Sequence, residues 1–156
     1  MLSGCSIGFN TGSGASVGAS DGGVFKSSNK GTNWEQKVLI QTVGARKSIG
    51  SLDIISLILD PADNKAIYAG SLENGMAYSY DGGEGWQIAL GLGKVNVNNV
   101  AVDPANKCVI YATATNKVYK SADCNRSWSV VYYDNDPKAI VSSLVIDFTN
   151  SGNIFI

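Results

Sequence analysis

The chain has 156 residues, 44% hydrophobic and 16% charged, a balance that marks a globular domain with its own core and excludes a disordered polymer. Twelve Lys and Arg against thirteen Asp and Glu leave a formal charge of −1, which excludes a broad cationic face for nucleic acid. There is no histidine, so every Ser-His or Cys-His nucleophile pair is excluded, and no apolar run reaches the ~20 residues of a membrane-spanning helix.

Residues 1–23 read as an anchor and a tether. Leu2-Ser3-Gly4-Cys5 resembles a bacterial lipobox, in which small residues precede a cysteine that is lipidated. That resemblance makes Cys5 the lipidation site. The Gly- and Ser-rich stretch from Ser6 to Gly23 reads as a flexible spacer between lipid and folded domain.

Residues 24–156 are repetitive. Leu57-Ile58-Leu59-Asp60-Pro61 returns as Val100-Ala101-Val102-Asp103-Pro104 and as Leu144-Val145-Ile146-Asp147-Phe148. The aspartates are 43 and 44 residues apart, and Tyr68, Tyr111 and Phe155, in Ile-Tyr-Ala-like segments, keep the same spacing. In chain order the expected strands are 24–27 and 34–40; 54–59, 66–70, 76–80 and 86–90; 99–102, 108–113, 117–121 and 128–133; and 142–146 and 153–156. No helix is expected. A period near 43 with four strands per repeat is the signature of a β-propeller blade. The fold class is therefore all-β, a propeller fragment of about three four-stranded blades, with blade segments at 24–40, 54–90, 99–133 and 142–156. The first segment holds only an outer strand pair and the last only an inner pair. A rival reading is a miniature that closes by self-association.

A third marker lies in each repeat: Ser27-Ser28-Asn29-Lys30-Gly31-Thr32-Asn33-Trp34, Ser79-Tyr80-Asp81-Gly82-Gly83-Glu84-Gly85-Trp86, and Ser121-Ala122-Asp123-Cys124-Asn125-Arg126-Ser127-Trp128. These resemble the Asp-box, Ser-x-Asp-x-Gly-x-Thr-Trp, of the bacterial-neuraminidase-repeat propellers. The motif suits a hairpin turn. Asp or Asn accepts hydrogen bonds from backbone N–H groups just ahead of it, and Gly31, Gly83 or Asn125 tolerates positive φ. The Trp is expected to wedge between repeats, so Trp34, Trp86 and Trp128 should begin outermost strands and be mostly buried.

The acids of the boxes, and Asp60, Asp103 and Asp147, have turn-capping roles. No metal-ligand spacing occurs and no cofactor is implied. Sialidases share the Asp-box, but their site needs three arginines and this chain has two, Arg46 and Arg126. Xyloglucanase-type glycosidases use a carboxylate pair, and no pair here can be matched to it. Binding is instead expected on the face made by the second-to-third strand loops and the links between blades, 41–53, 71–75, 91–98, 114–116 and 133–140. The candidate ligand-binding residues there are Arg46, Lys47, Glu73, Tyr132, Tyr133 and Asp134. A two-residue turn at Thr115-Asn116 would set Cys108 opposite Asp123, one place from Cys124, within reach of a disulfide; two separate thiols are the alternative.

The run of Asp-Pro, Ile-Tyr-Ala and Val-Tyr-Lys-Ser before each box is also similar to photosystem II stability/assembly-factor-like proteins and to sortilin-type propellers. That resemblance implies a propeller of seven or more blades that binds proteins or peptides. The leading expectation is a non-enzymatic binding module, exported and lipid-anchored at a bacterial envelope. Its partner would be a protein or peptide, with glycan as a further class, no nucleic acid, and membrane contact through the lipid alone. The alternative is part of an exported xyloglucanase- or sialidase-like glycosidase.

Overall fold

The computed structural model describes residues 22–44 and 47–156. Cys5 and Arg46 lie outside the described residues.

The first hairpin pairs β1 (Val24–Lys26) with β2 (Glu35–Lys37). The first link carries a second, smaller hairpin, β3 (Leu39–Ile40) with β4 (Lys47–Ser48). Two four-stranded antiparallel sheets follow in meander order. One is β5 (Ile54–Leu59), β6 (Ile67–Ser71), β7 (Met76–Ser79) and β8 (Gln87–Ile88). The next is β9 (Val97–Asp103), β10 (Asn106–Ala114), β11 (Lys117–Ser121) and β12 (Ser129–Tyr133). A last pair, β13 (Val145–Ile146) with β14 (Ile154–Phe155), ends the described chain. The fold is an all-β propeller fragment, and the sheets are its blades.

Each innermost strand ends in an aspartate for a local reason. Asp60, Asp103 and Asp147 each accept the N–H two residues on, from Ala62, Ala105 and Thr149, all at 2.8 Å. That turn satisfies backbone groups the sheet has released and starts the second strand.

Blades stack face to face through three apolar seams. Val24 and Ile49 meet Ala69, Ala77 and Trp86 in the first. Ala66, Tyr68, Met76 and Ala89 meet Val97, Val100, Val102 and Ile110 in the second. Tyr111 and Val118 meet Val141 and Leu144 in the third. Period-2 alternation explains the pattern, because Tyr68 and Ala69, adjacent on β6, serve opposite seams.

The structure departs from the expected elements in several places, among them segment 142–146, of which only Val145–Ile146 is strand. Segment 34–40 is broken at Val38, whose carbonyl accepts the Ile49 N–H at 2.9 Å, and the long first link folds back as β3–β4, burying Ile49. Trp34 and Trp128 do not open their strands, β2 beginning at Glu35 and β12 at Ser129, nor does Trp86 open β8. Trp86 lies in an isolated parallel bridge with Ile40, giving its N–H to Leu39 O at 2.8 Å. Residues Leu90–Leu92 form one 3-10 turn instead of a strand end. Trp34, expected to be buried, is 55% exposed, whereas Trp86 is 0% exposed. A box tryptophan seats on the blade preceding its own, and no described blade precedes Trp34.

Candidate functional site

The meander gives each blade two different ends. The box turns and the aspartate turns lie at one end. At the other lie the loops between second and third strands and the links to the next blade.

The box end is built for rigidity. In the second box, Ser79 Oγ accepts the Gly83 N–H at 2.9 Å and donates to Asp81 Oδ1 at 2.7 Å, while that oxygen accepts the Gly85 N–H at 2.8 Å. Ser121, Asp123, Asn125 and Ser127 repeat this arrangement, as do Ser27, Asn29, Gly31 and Asn33. Asn125 takes φ +76° where Gly31 and Gly83 take +87° and +91°. The Ser127 hydroxyl and N–H, with Ser121 and Arg126, hold the Asp123 carboxyl down to about 2. Partial desolvation of Asp81 opposes ionisation, but hydrogen bonds from Gly85 and Ser79 outweigh it and its pKa is lowered. Glu84 is lowered chiefly by Lys37, which bonds it at 2.7 Å. Asp147 is held at about 2, first by the Thr149 hydroxyl and N–H. Every carboxylate with a shifted acidity is thus kept as an anion by a turn or an ion pair. No group of three or more metal-ligating side chains occurs among the described residues.

The link end carries the described ligand-binding candidates. Glu73 sits in the β6–β7 loop at φ +59°, its N–H held by Asn96 Oδ1 at 2.7 Å, and Gly75 donates to Val95 O at 2.9 Å. Lys47 lies exposed on β4 in the first link. Tyr132, Tyr133 and Asp134 are consecutive residues where β12 leaves its sheet. The Lys117 ammonium stands 5.6 Å from the centre of the Tyr133 ring. Tyr132 gives its hydroxyl hydrogen to Asp134 Oδ2 at 3.3 Å, and the Asp134 charge raises the Tyr132 pKa. Asn116, absent from the sequence candidates, fixes this corner: its carbonyl accepts the Asp134 N–H at 2.9 Å and its side-chain amide donates to Asp134 O at 2.8 Å. Asn96 plays a similar part for Glu73. An Asn beside a tight turn was the available signal. Lys117 was concealed because it lies in a strand directly opposite Tyr133.

Cys108 and Cys124 are joined in a disulfide, and the Cys124 N–H also donates to Cys108 O at 3.1 Å.

Stacked four-stranded meanders in sequence order define the class, a β-propeller. Among solved structures, an ancestral GH74 enzyme superposes at a TM-score of 0.67 with 19% identity, covering 87% of this chain and 19% of that one. The GH74 enzyme of Niastella koreensis superposes at 0.50 with 22% identity, covering 60% of this chain and 16% of that one. The GH74 xyloglucanase from Xanthomonas campestris gives 0.39 with 14% identity, covering 87% and 32%. The first two likenesses show the propeller fold, and the chain spans about a fifth of the length of the first enzyme. No protein-family model and no curated protein sequence matches the chain.

Proposed function

We propose that these blades are of the glycoside hydrolase propeller type and supply a glycan-binding face, not an acid–base pair. The observation that carries the reading is the Tyr133 corner. The exposed Tyr133 ring has the Lys117 ammonium 5.6 Å from its centre at the link end, and Asn116 holds the backbone of the adjacent Asp134. A tyrosine ring offers a flat apolar face to a sugar's C–H groups, while Lys117 is a donor for its hydroxyls. The superposition on GH74 enzymes supports the same reading. Titration calorimetry with β-linked gluco-oligosaccharides tests it. Binding that falls about tenfold or more in Tyr133→Ala, near 1.4 kcal/mol, is the expected result. No binding by the unaltered chain overturns it.

The leading expectation from the sequence, a non-enzymatic binding propeller, is the second reading, and it rests on the three box turns, each closed by a Ser with an Asp or Asn side chain. In this second reading the Asp-box, sortilin-type and photosystem II assembly-factor-like resemblances indicate a protein or peptide ligand. Cys5 then holds the module at an exported envelope face. The Cys108–Cys124 disulfide agrees with an oxidising compartment in either reading. Pull-down from envelope extract, with and without Glu73→Ala and Tyr133→Ala, separates the two. A specific protein captured only by the unaltered chain supports the second reading.

A further inference from the structure

We propose that the groove between the first link and the second blade docks an acidic peptide segment, which seats one branched aliphatic side chain in the groove and sets its flanking carboxylates on Lys47 and Lys94. The site lies away from the Tyr133 corner and depends on neither reading of it.

The extra length of the first link builds the groove. From Trp34 to Asp60 the chain advances 26 residues, against 17 from Trp86 to Asp103 and 19 from Trp128 to Asp147. The added residues fold into the β3–β4 hairpin. That hairpin supplies one wall through Ile40, continued by Leu52. The other wall is Ile88 and Leu90, where β8 runs into the 3-10 turn. Both walls lie between residues 39 and 94, with described chain on either side of them.

Both walls are fixed. Ile49 is wholly buried beneath the hairpin, the Leu52 N–H donates to Ile49 O at 3.0 Å, and the Gln41 N–H donates to Trp86 O at 3.3 Å. Across the groove the Ala89 N–H donates to Met76 O at 2.9 Å and the Gly93 N–H to Leu90 O at 3.2 Å, while buried Leu92 holds the turn down. The turn thereby presents Leu90 to solvent, 86% exposed, in a blade whose four strands are all described. A wall already held in place loses little freedom when a ligand arrives.

The chemistry of the lining selects the occupant. The groove measures about 300 Å³, room for a single large side chain with its backbone at the rim. No aromatic ring lines it, so a sugar finds no stacking platform there. No carboxylate lines it either; Asp53 and Glu73, the acids nearest in sequence, lie outside it. Lys94 does line it, and Lys47, paired directly opposite Ile40, shares that residue's face of the hairpin. Among the described residues neither lysine makes an ion pair. Cations on both sides of an apolar slot complement an aliphatic residue with an acid before and after it. The rim also suits a peptide backbone. Asn74 spends its amide nitrogen on Leu72 O at 3.0 Å, leaving its amide oxygen to accept a peptide N–H. Ser48 Oγ accepts the Gly50 N–H at 2.9 Å, leaving its hydroxyl hydrogen for a peptide carbonyl.

Fluorescence polarisation on the full chain, with a labelled Gly-Ser-Glu-Leu-Glu-Ser-Gly peptide, tests the proposal. Saturable binding is expected, weakened about tenfold or more when the peptide's Leu is replaced by Ala, and by a similar factor in Leu90→Ser. Leu90→Met keeps an apolar wall and should retain binding. Lys94→Glu should weaken binding about tenfold and make a Lys-Leu-Lys peptide the better ligand. These substitutions change exposed side chains, so the sheet circular dichroism should not move. Absence of saturable binding by the unaltered chain up to ~1 mM peptide overturns the proposal. So does binding indifferent to the peptide's Leu, or a charge preference unchanged in Lys94→Glu. Binding of laurate without binding of the peptide also overturns it, since the groove would then be an acyl-chain site.

Discussion

The indole nitrogen of Trp86 donates to the backbone carbonyl of Lys37 at 2.9 Å, across the seam between the first two blades. The same tryptophan gives its backbone N–H to Leu39 O at 2.8 Å, so one residue ties its blade to the preceding one by main chain and side chain. Its ring is wholly buried against Val24, Ile49 and Ala77. Trp128 occupies the corresponding place in the next blade, but its indole nitrogen is buried without a partner among the described residues.

Two equivalent tryptophans should therefore answer differently to one substitution. Trp86→Phe strands the Lys37 carbonyl, whereas Trp128→Phe removes a nitrogen that bonds none of the described residues. Urea melts should show Trp86→Phe as the more destabilising by about 1–2 kcal/mol, and Trp86→Ala should cost about 3–5 kcal/mol. Equal losses for the two Phe variants would count against the pairing with Lys37.

The second seam rests on a glycine. A β-carbon at Gly70 would collide with Ser56 Oγ and with the carbonyl oxygen of Val97, which is backbone of the next blade and cannot rotate away. Gly70→Ala should destabilise the chain by about 1–3 kcal/mol, as overpacking does. Ser56→Gly removes one obstacle only, so a double variant should remain clearly less stable than Ser56→Gly alone. Thermal melts of the three variants decide it.

Much of this architecture was legible because each blade repeats a short-range chemical instruction. Asp60, Asp103 and Asp147 mark strand ends, and the three boxes mark hairpin turns, by hydrogen bonds that span two to four residues. What the sequence hid depends on neighbours. Trp34, Trp86 and Trp128 look alike in their motifs, yet exposure follows the presence of a preceding blade, which no local pattern encodes. The β3–β4 hairpin was concealed because Leu39–Ile40 and Lys47–Ser48 are too short to show a period. At the link end, Tyr133 and Asp134 could be picked out by residue type. Their partners Lys117 and Asn116 are set by the register of β11 against β12 and by the return of the link over the turn.

The disulfide offers a direct stability measurement. Cys108 and Cys124 close a segment with a sequence separation of 16, across the β10–β11 hairpin. Constraining a loop of that size in the unfolded chain contributes about 3 kcal/mol. Dithiothreitol, or paired replacement by Ser, should lower the urea midpoint by a corresponding amount while leaving the sheet signature intact. An unchanged midpoint would mean that the hairpin is already restrained when unfolded.

The box turns should make the chain sensitive to acid, and unevenly so. Asp123 is held at about 2 by the Ser127 hydroxyl and N–H, together with Ser121 and Arg126, against an ordinary value of 3.8. Asp147 is likewise held at about 2, first by Thr149. A depressed folded-state pKa means that the unfolded chain binds the proton more readily. The stabilisation is therefore complete above the ordinary value and declines as pH falls from near 4 toward 2. The first box makes the same turn with a group that does not titrate, since Asn29 Oδ1 accepts the Asn33 N–H at 2.8 Å. On acidification the Ser127 amide should lose hydrogen-exchange protection while the Asn33 amide keeps its own relative to global opening. Asp123→Asn retains an acceptor oxygen and should flatten the acid limb of the melting profile at that turn. Carboxyl carbon NMR titration reads the same property directly, and an Asp123 midpoint near 4 would remove the basis for the prediction.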